Sequence, residues 1–499
     1  MDQTVVERER QATTVTGDDQ GVSSTRSTPE TLALVIGWSP SEPGRLGEIC
    51  VVPPTRRGAT FVLGRGPQTA SDPHPRLGFV RDRPGVFESR PPLASPRLSR
   101  VQLWVRPNGA DSLTVRNVGR CPLRHNGVAV QSREVQVVPG ETLSLGQELL
   151  LFCVRRQAWS RSLGQDASPM PFGRADPHGF VGESSAAWEL RRHIAFAAPR
   201  HEHVLVLGES GTGKELVARA LHALSQRAQS PLVARSAATL PEGLVDAELF
   251  GHARNYPSSA MPERPGLVGQ AAGGTLFLDE LAELPPALQT HLLRVLDAGE
   301  YQRLGESTTR ISDFRLIAAT NRPERIRDEL VARLKLSLRV PSLNERPEDV
   351  PLLVVHLLRT IAHSNPDVAA RIFASAHSDE EPRVALDFMD MLVRRQYKAN
   401  VRELERVVWE ALAQGPDRVL DRAPSARTTM APQPPEVAAA KATVAPAQNG
   451  ARHVTADMLQ AALVANDESI ERTWRVLGFS SRHALTRLMA KHGIRRNKS

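Results

Sequence analysis

The 499-residue sequence predicts a multidomain protein of mixed class. It expects a β-sandwich or barrel first, then a layered α/β domain with a largely parallel sheet, then an all-α C-terminal domain. Three observations carry this. Short apolar runs broken by turn residues fill 31–156, strand-like and helix-like runs alternate over 178–344, and helical periodicity governs 345–414 and the end of the chain. The length suits about three domains.

Each segment follows from its local pattern. Residues 1–30 are rich in Ser, Thr, Asp and Glu and are expected to be a disordered tail. The runs TLALVIGW, ATFVLGR, VQLWVR, SLTVRN, VQVV and ELLLFCV, spaced by turns, make 31–156 the β domain. Residues 157–177, with SLGQDASPMPFGRADP, read as a linker. In 178–344, HVLVLG precedes KELVARALHALSQRA, whose Leu216, Val217, Ala220, Leu221 and Leu224 share one helix face. TLFLDE, PPALQTHLLRVLDAGE and FRLIAATN continue the alternation, which predicts helices covering a parallel sheet. Residues 345–414 are mostly helical. The Pro/Ala/Thr-rich stretch 415–452 is a linker by composition, and 453–499 returns to amphipathic helix.

Composition narrows the classes. Hydrophobic residues make up 40% and charged residues 24%, ordinary for a soluble chain. No run reaches the ~18 apolar residues of a membrane span, and the N-terminus lacks a secretory layout. Cys50, Cys121 and Cys153 show neither metal nor disulfide spacing, so a cytoplasmic protein without membrane contact is expected. Net charge is +8, and only six of the 63 basic residues are lysines. A lysine inside a chemical motif therefore stands out.

One does. Gly208, Glu209, Ser210, Gly211, Thr212, Gly213, Lys214 and Glu215 follow a strand and open a helix. Glycines let the backbone turn its N–H groups toward phosphate oxygens, and the helix N-terminus adds its positive end. Lys214 supplies a point charge for β and γ phosphates. Glu215 stands where such loops usually place Ser or Thr on Mg²⁺. Downstream, GGTLFLDE is a buried strand ending in Asp279 and Glu280. Asp279 is expected to hold Mg²⁺ through water, and Glu280 to polarise an attacking water.

Together these pieces resemble the AAA+ activators of sigma-54-dependent transcription. The resemblance runs over about 180–413 and includes GFVGESSAAWELRRHI, GESGTGKELVARALH, LVDAELFGH, GGTLFLDELAELPPALQTHLLRVLDAGEYQRLG, LIAATNR, ERPEDVPLL and NVRELERVV. It implies an α/β AAA+ P-loop ATPase core at 178–344, a helical lid at 345–414, ATP with Mg²⁺, and a homo-oligomeric ring, usually a hexamer. It also implies remodelling of sigma-54 RNA polymerase. By the same resemblance Lys214, Asp279 and Glu280 bind and hydrolyse ATP, Asn321 senses the γ-phosphate, and Arg402 contacts nucleotide from the lid. Arg327 and Arg333 match the arginines inserted toward a neighbour's phosphates. Two departures are plain. Ser236 replaces an asparagine that couples the catalytic glutamate to nucleotide state, and a serine is expected to be too short to hold Glu280. Asn255-Tyr-Pro-Ser-Ser-Ala260 stands in place of the sigma-contacting core GAFTGA, with Pro257 and Ser258 at the phenylalanine and threonine positions.

The β region resembles a forkhead-associated domain, a β-sandwich that recognises phosphothreonine. Leu63-Gly64-Arg65, Leu98-Ser99-Arg100 and Asn117-Val118-Gly119 carry the likeness. It makes Arg65, Ser99 and Arg100 the phosphopeptide residues. Gln102 replaces that family's structural histidine, and Arg120-Cys121-Pro122 removes a peptide-binding asparagine. The C-terminus resembles a Fis-type helix-turn-helix, with a turn at Leu477-Gly478-Phe479-Ser480. Arg482, His483, Thr486, Arg487 and Lys491 lie on the DNA-reading helix. The expected protein is an ATP-binding, DNA-binding transcription regulator of the sigma-54 type. Its alternatives are a DNA-binding regulator that uses ATP for assembly without contacting sigma-54, and a phosphopeptide-docking scaffold with a vestigial ATP site.

Overall fold

The computed structural model describes residues 30–54, 58–132, 134–157, 170–241, 243–373, 381–414 and 420. The chain divides into two compact units, 1–429 and 430–499, and every described residue lies in the first. The expected tail, most of the 415–452 linker and the helix-turn-helix with Arg482, His483, Thr486, Arg487 and Lys491 lie outside the described residues.

The N-terminal domain is a sandwich of two antiparallel sheets. One sheet holds β1 (Glu30–Trp38), β2 (Ile49–Val51), β4 (Val80–Arg83), β5 (Val86–Ser89), β8 (Leu123–His125), β9 (Val128–Ala129), β11 (Thr142–Leu145) and β12 (Leu149–Gln157), ordered β5-β4-β2-β1-β12-β11-β8-β9. The other holds β3 (Phe61–Leu63), β6 (Leu103–Asn108), β7 (Ser112–Asn117) and β10 (Glu134–Val137), ordered β10-β7-β6-β3. Leu32, Leu34, Ile36, Cys50, Leu103, Val105, Leu151 and Cys153 fill the space between the sheets. The three cysteines are free and buried, and burial pushes the Cys50 and Cys153 thiols up to about 12.

The central domain has a five-stranded parallel sheet. Its strands are β13 (Val204–Leu207), β14 (Leu232–Ser236), β15 (Thr275–Asp279), β18 (Arg315–Thr320) and β19 (Leu336–Arg339), ordered β14-β15-β18-β13-β19. A two-stranded hairpin, β16 (Glu300–Tyr301) with β17 (Arg310–Ile311), stands outside it. Helices α1 (Ser185–Ala197), α2 (Lys214–Ala223), α3 (Val245–Phe250), α4 (Gly266–Gln270), α5 (Pro286–Ala298) and α6 (Asp328–Val331) accompany the sheet. Leu205, Leu276, Leu278, Leu316 and Ala318 face one core, and Val204, Val206, Phe277, Ile317 and Ala319 face a second, as a sheet covered on both faces requires. On α2, Val217, Ala220 and Leu221 are buried as expected, but Leu224 is exposed because the helix ends at Ala223. The region expected to be the lid holds α7 (Val350–Ser364), α8 (Pro366–Ile372), α9 (Leu386–Arg394) and α10 (Asn400–Gln414).

The sandwich and lid share one hydrophobic core. Ala33, Val35, Trp38, Ile49, Phe152 and Val154 point out of the sandwich and pack with Leu352, Val355, Phe388, Met389, Leu392 and Val408. Trp38 Nε1 donates to the Val384 carbonyl at 2.9 Å. Next to this seam, Arg83 pairs with Glu183, and Arg156 donates to the Glu183 carbonyl and Ser185 Oγ, each at 3.0 Å. Part of the expected linker is packed: Arg81 and Arg83 stack over Phe172, and Gly173 N donates to Glu183 Oε1 at 2.8 Å.

Candidate nucleotide site

Sheet order makes the site. A strand's C-terminal end leads straight into the loop that follows it. With β13, β18 and β15 side by side, the Gly208–Lys214 loop, Asn321 and Asp279-Glu280 come to the same edge of the sheet. They line a cleft of about 400 Å³ with Arg402 of α10. Gly211 (φ +78°) and Gly213 (φ +102°) occupy left-handed backbone. A Cβ on Gly211 would lie 2.2 Å from the Ala399 carbonyl, whereas one on Gly213 would meet only Leu216 Cδ1 at 3.7 Å. The first glycine admits the lid, and the second leaves an open cradle.

Lys214 Nζ donates to the carbonyls of Gly208 and Glu209 at 3.0 and 3.1 Å. Burial lowers its pKa, with Asp279 opposing that shift. Burial raises the pKa of Asp279, opposed by the N–H of Glu280, which donates to Asp279 Oδ1 at 2.9 Å, and by Lys214. Glu280 sits at φ +55°, in left-handed backbone directly after β15 ends at Asp279. The expectation about Ser236 is corrected here: Ser236 Oγ donates to Glu280 Oε2 at 2.7 Å. Parallel pairing of β14 and β15 places Ser236 opposite Asp279, so a short side chain reaches.

Several lining residues were given no role by the sequence. Phe180, Val181, Leu353, Leu357 and Val401 form an apolar wall at one end, with His356 among them. Burial lowers the pKa of His356, and Arg359 adds to the shift. Arg346, 6% exposed, lines the cleft, and its Nε has no partner among the described residues. An open glycine cradle, a lysine, an orphaned guanidinium nitrogen and an apolar wall fit a nucleotide. No cluster of three or more His, Cys, Asp or Glu suited to a metal occurs among the described residues. Asp279 is a hard oxygen donor that suits a water-shelled Mg²⁺ carried by phosphates. Glu215 instead pairs with Arg219 at 2.6 Å.

The remaining expected residues fall elsewhere. Arg327 and Arg333 are exposed, pair with Glu329 and Asp297, and do not line the cleft. In the sandwich, Arg65 Nε donates to the Leu98 carbonyl at 3.2 Å, and Ser99 Oγ accepts from Arg120 N at 2.9 Å. Arg100 is exposed, and Gly64 allows its carbonyl to come close. Gln102, fully buried, accepts from Ser99 N and donates to Asn117 Oδ1 and the Cys121 carbonyl. It thereby ties the Ser99 loop to the turn after β7.

The 251–266 stretch forms a finger. His252 and Arg264 exchange both backbone hydrogen bonds at its base, Asn255 N donates to the Met261 carbonyl, and Ala253 N donates to that of Leu304. Tyr256 lies against Gly305, where an added Cβ would sit 2.4 Å from its ring. Residues 255–263 are exposed.

A glycine-rich loop before a helix, paired acids on the third strand and a following set of helices characterise the central domain. Residues 180–339 match the model of the family described as Sigma-54 interaction domain. The chain thus carries a central domain like that of sigma-54 activators, with an N-terminal β-rich region and helices following it. It is 40% identical over 256 residues to the transcriptional regulatory protein ZraR of Salmonella typhimurium (strain LT2), covering 50% of this chain and 55% of ZraR. It is 41% identical over 268 residues to the nitric oxide reductase transcription regulator NorR1 of Cupriavidus necator, covering 52% of this chain and 50% of NorR1. The chain spans about half the length of these curated relatives. The crystal structure of NtrX from Brucella abortus in complex with ATP aligns at a TM-score of 0.41 and 28% identity, covering 64% of this chain and 70% of that one. No helix among the described residues is long and apolar enough to cross a membrane.

Proposed function

We propose that this chain is a transcription regulator of the sigma-54 activator type that binds and hydrolyses ATP in the cleft at the sheet's C-terminal edge. The observation that carries the reading is the meeting of Lys214, Asp279, Glu280, Asn321 and Arg402 on one cleft. Lys214 and the loop amides bind the phosphates, the apolar wall takes the base, and Arg402 holds the nucleotide from the lid. Glu280, kept in place by Ser236, accepts a proton from the attacking water. Mg²⁺ neutralises phosphate charge when bound, with Asp279 as its water-mediated holder. Arg327 and Arg333, exposed away from the cleft, serve a neighbouring subunit in a homo-oligomeric ring. The sandwich presents Arg65, Ser99 and Arg100 to a phosphothreonine partner. The C-terminal residues Arg482, His483, Thr486, Arg487 and Lys491 read promoter or enhancer DNA.

A second reading follows from the finger. Pro257 and Ser258 occupy its exposed part, and Tyr256 is held against Gly305. A finger so built favours a DNA-binding regulator whose ATP cycle drives assembly and does not grip sigma-54. Incubation with ATP and a transition-state mimic separates the two: stable trapping on sigma-54 supports the first, and its absence with an active ATPase supports the second. Glu280→Ala is expected to abolish ATP turnover while leaving ATP binding measurable. Unchanged turnover in that variant sinks the catalytic assignment.

A further inference from the structure

Asn400 is fully buried and stands at the first residue of α10 with φ +52°. Few residues hold that conformation without strain; Asn, Asp and Gly are the ones that do so readily. Its side chain ties α10 to two other segments. Oδ1 accepts from Leu343 N at 2.7 Å, in the connection that leaves the sheet for the lid. Nδ2 donates to the Ser210 carbonyl and to Glu209 Oε2, both at 3.0 Å, in the outer turn of the phosphate loop. The backbone continues the join, since Val401 N donates to the Gly211 carbonyl at 3.1 Å and Gly211 has no room for a Cβ against Ala399. Arg402 Nη1 adds a bond to Ser210 Oγ at 3.1 Å.

We propose that Asn400 is a positioning residue that sets the shape of the phosphate loop according to the angle of the lid. The proposal rests on the reading of the cleft as a nucleotide site and adds the route by which the lid controls it. The amide's acceptor is fixed at Leu343, and both of its donated bonds end on the adjacent Glu209 and Ser210 of the phosphate loop. A rotation of α10 therefore pulls on Glu209 and Ser210 through a link of fixed length, and the loop amides that face phosphate turn with it. Asn400 touches no reacting atom, so its effect falls on affinity more than on the chemical step.

The test uses the full chain and a fluorescent ATP analogue. Asn400→Asp keeps the left-handed backbone and the acceptor for Leu343, but loses both donated bonds and sets a carboxylate beside Glu209. It is expected to weaken ATP binding about tenfold or more, with a smaller change in kcat, as loss of two part-buried bonds, one to a charged partner, implies. Adding Glu209→Gln to Asn400→Asp restores a donor–acceptor pair of reversed polarity and is expected to recover a large part of that loss. Asn400→Gly, which keeps the backbone and removes the whole link, serves if the aspartate variant does not fold. Affinities within twofold of wild type in both single variants, or no recovery in the double variant, overturn the proposal. If the wild-type chain itself fails to bind the ATP analogue, the nucleotide reading fails and the proposal falls with it.

Discussion

At the scale of single residues, the hydrogen bond from Ser236 to Glu280 shows how register can compensate for length. Ser236 pairs directly with Asp279, the residue before Glu280, so its short side chain reaches the Glu280 carboxylate. Ser236→Ala is expected to lower ATP turnover about fivefold while ATP affinity stays within twofold, since one bond to an exposed carboxylate is worth about 1 kcal/mol. Steady-state hydrolysis and equilibrium titration check both halves. Lys214→Ala is expected to remove measurable ATP binding, read by the same titration. Lys214, Asp279, Glu280, Asn321 and Arg402 were legible because each belongs to a short local motif. Phe180, Leu353 and His356 were not, since apolar residues and a lone histidine on a helix read as ordinary core. The reach of Ser236 was misjudged because side-chain length alone says nothing about strand pairing.

At the scale of elements, the finger and the β16–β17 hairpin brace each other. Gly305 (φ +75°) leaves room for the Tyr256 ring, so Gly305→Val must move one against the other. The expected result is faster proteolysis within 251–266 with unchanged circular dichroism of the whole chain. The β4–β5 hairpin carries a pH signature. Burial pushes the Asp82 carboxyl up to about 6, with Arg156 pulling it back. A carboxyl raised on folding stabilises the fold below its ordinary pKa of 3.8, and that contribution is lost as pH rises to about 6. Asp82→Asn is therefore expected to raise the melting temperature at pH 7.5 and to have little effect near pH 4, as thermal scans at both values would show. Most of these strands and helices were legible from period and punctuation. The helix end at Ala223 was not, because SQRA continues a plausible helical pattern without a glycine or proline stop.

At the scale of the whole molecule, the outward face of the larger sandwich sheet is buried on the lid. Trp38→Ala removes the largest side chain of that seam and is expected to cost about 3–5 kcal/mol, lowering sandwich and lid melting together in calorimetry. Separate transitions would contradict a shared core. The clue was present in the sequence: TLALVIGW and ELLLFCV are continuous apolar runs, where a sheet with one wet face would alternate. What covered the second face was not legible, because the covering residues, Leu352 to Val408, lie some 200 to 370 positions away along the chain.

The shared seam has a consequence for modularity. The order of segments looks like a string of interchangeable parts, yet residues 30–157 have lost portability. Grafted onto an unrelated carrier, this sandwich would present Ala33, Val35, Trp38, Ile49, Phe152 and Val154 to water as one patch, and such patches drive association. A transplantable version needs polar replacements across that face. The same replacements, made in the native chain, would set the lid free.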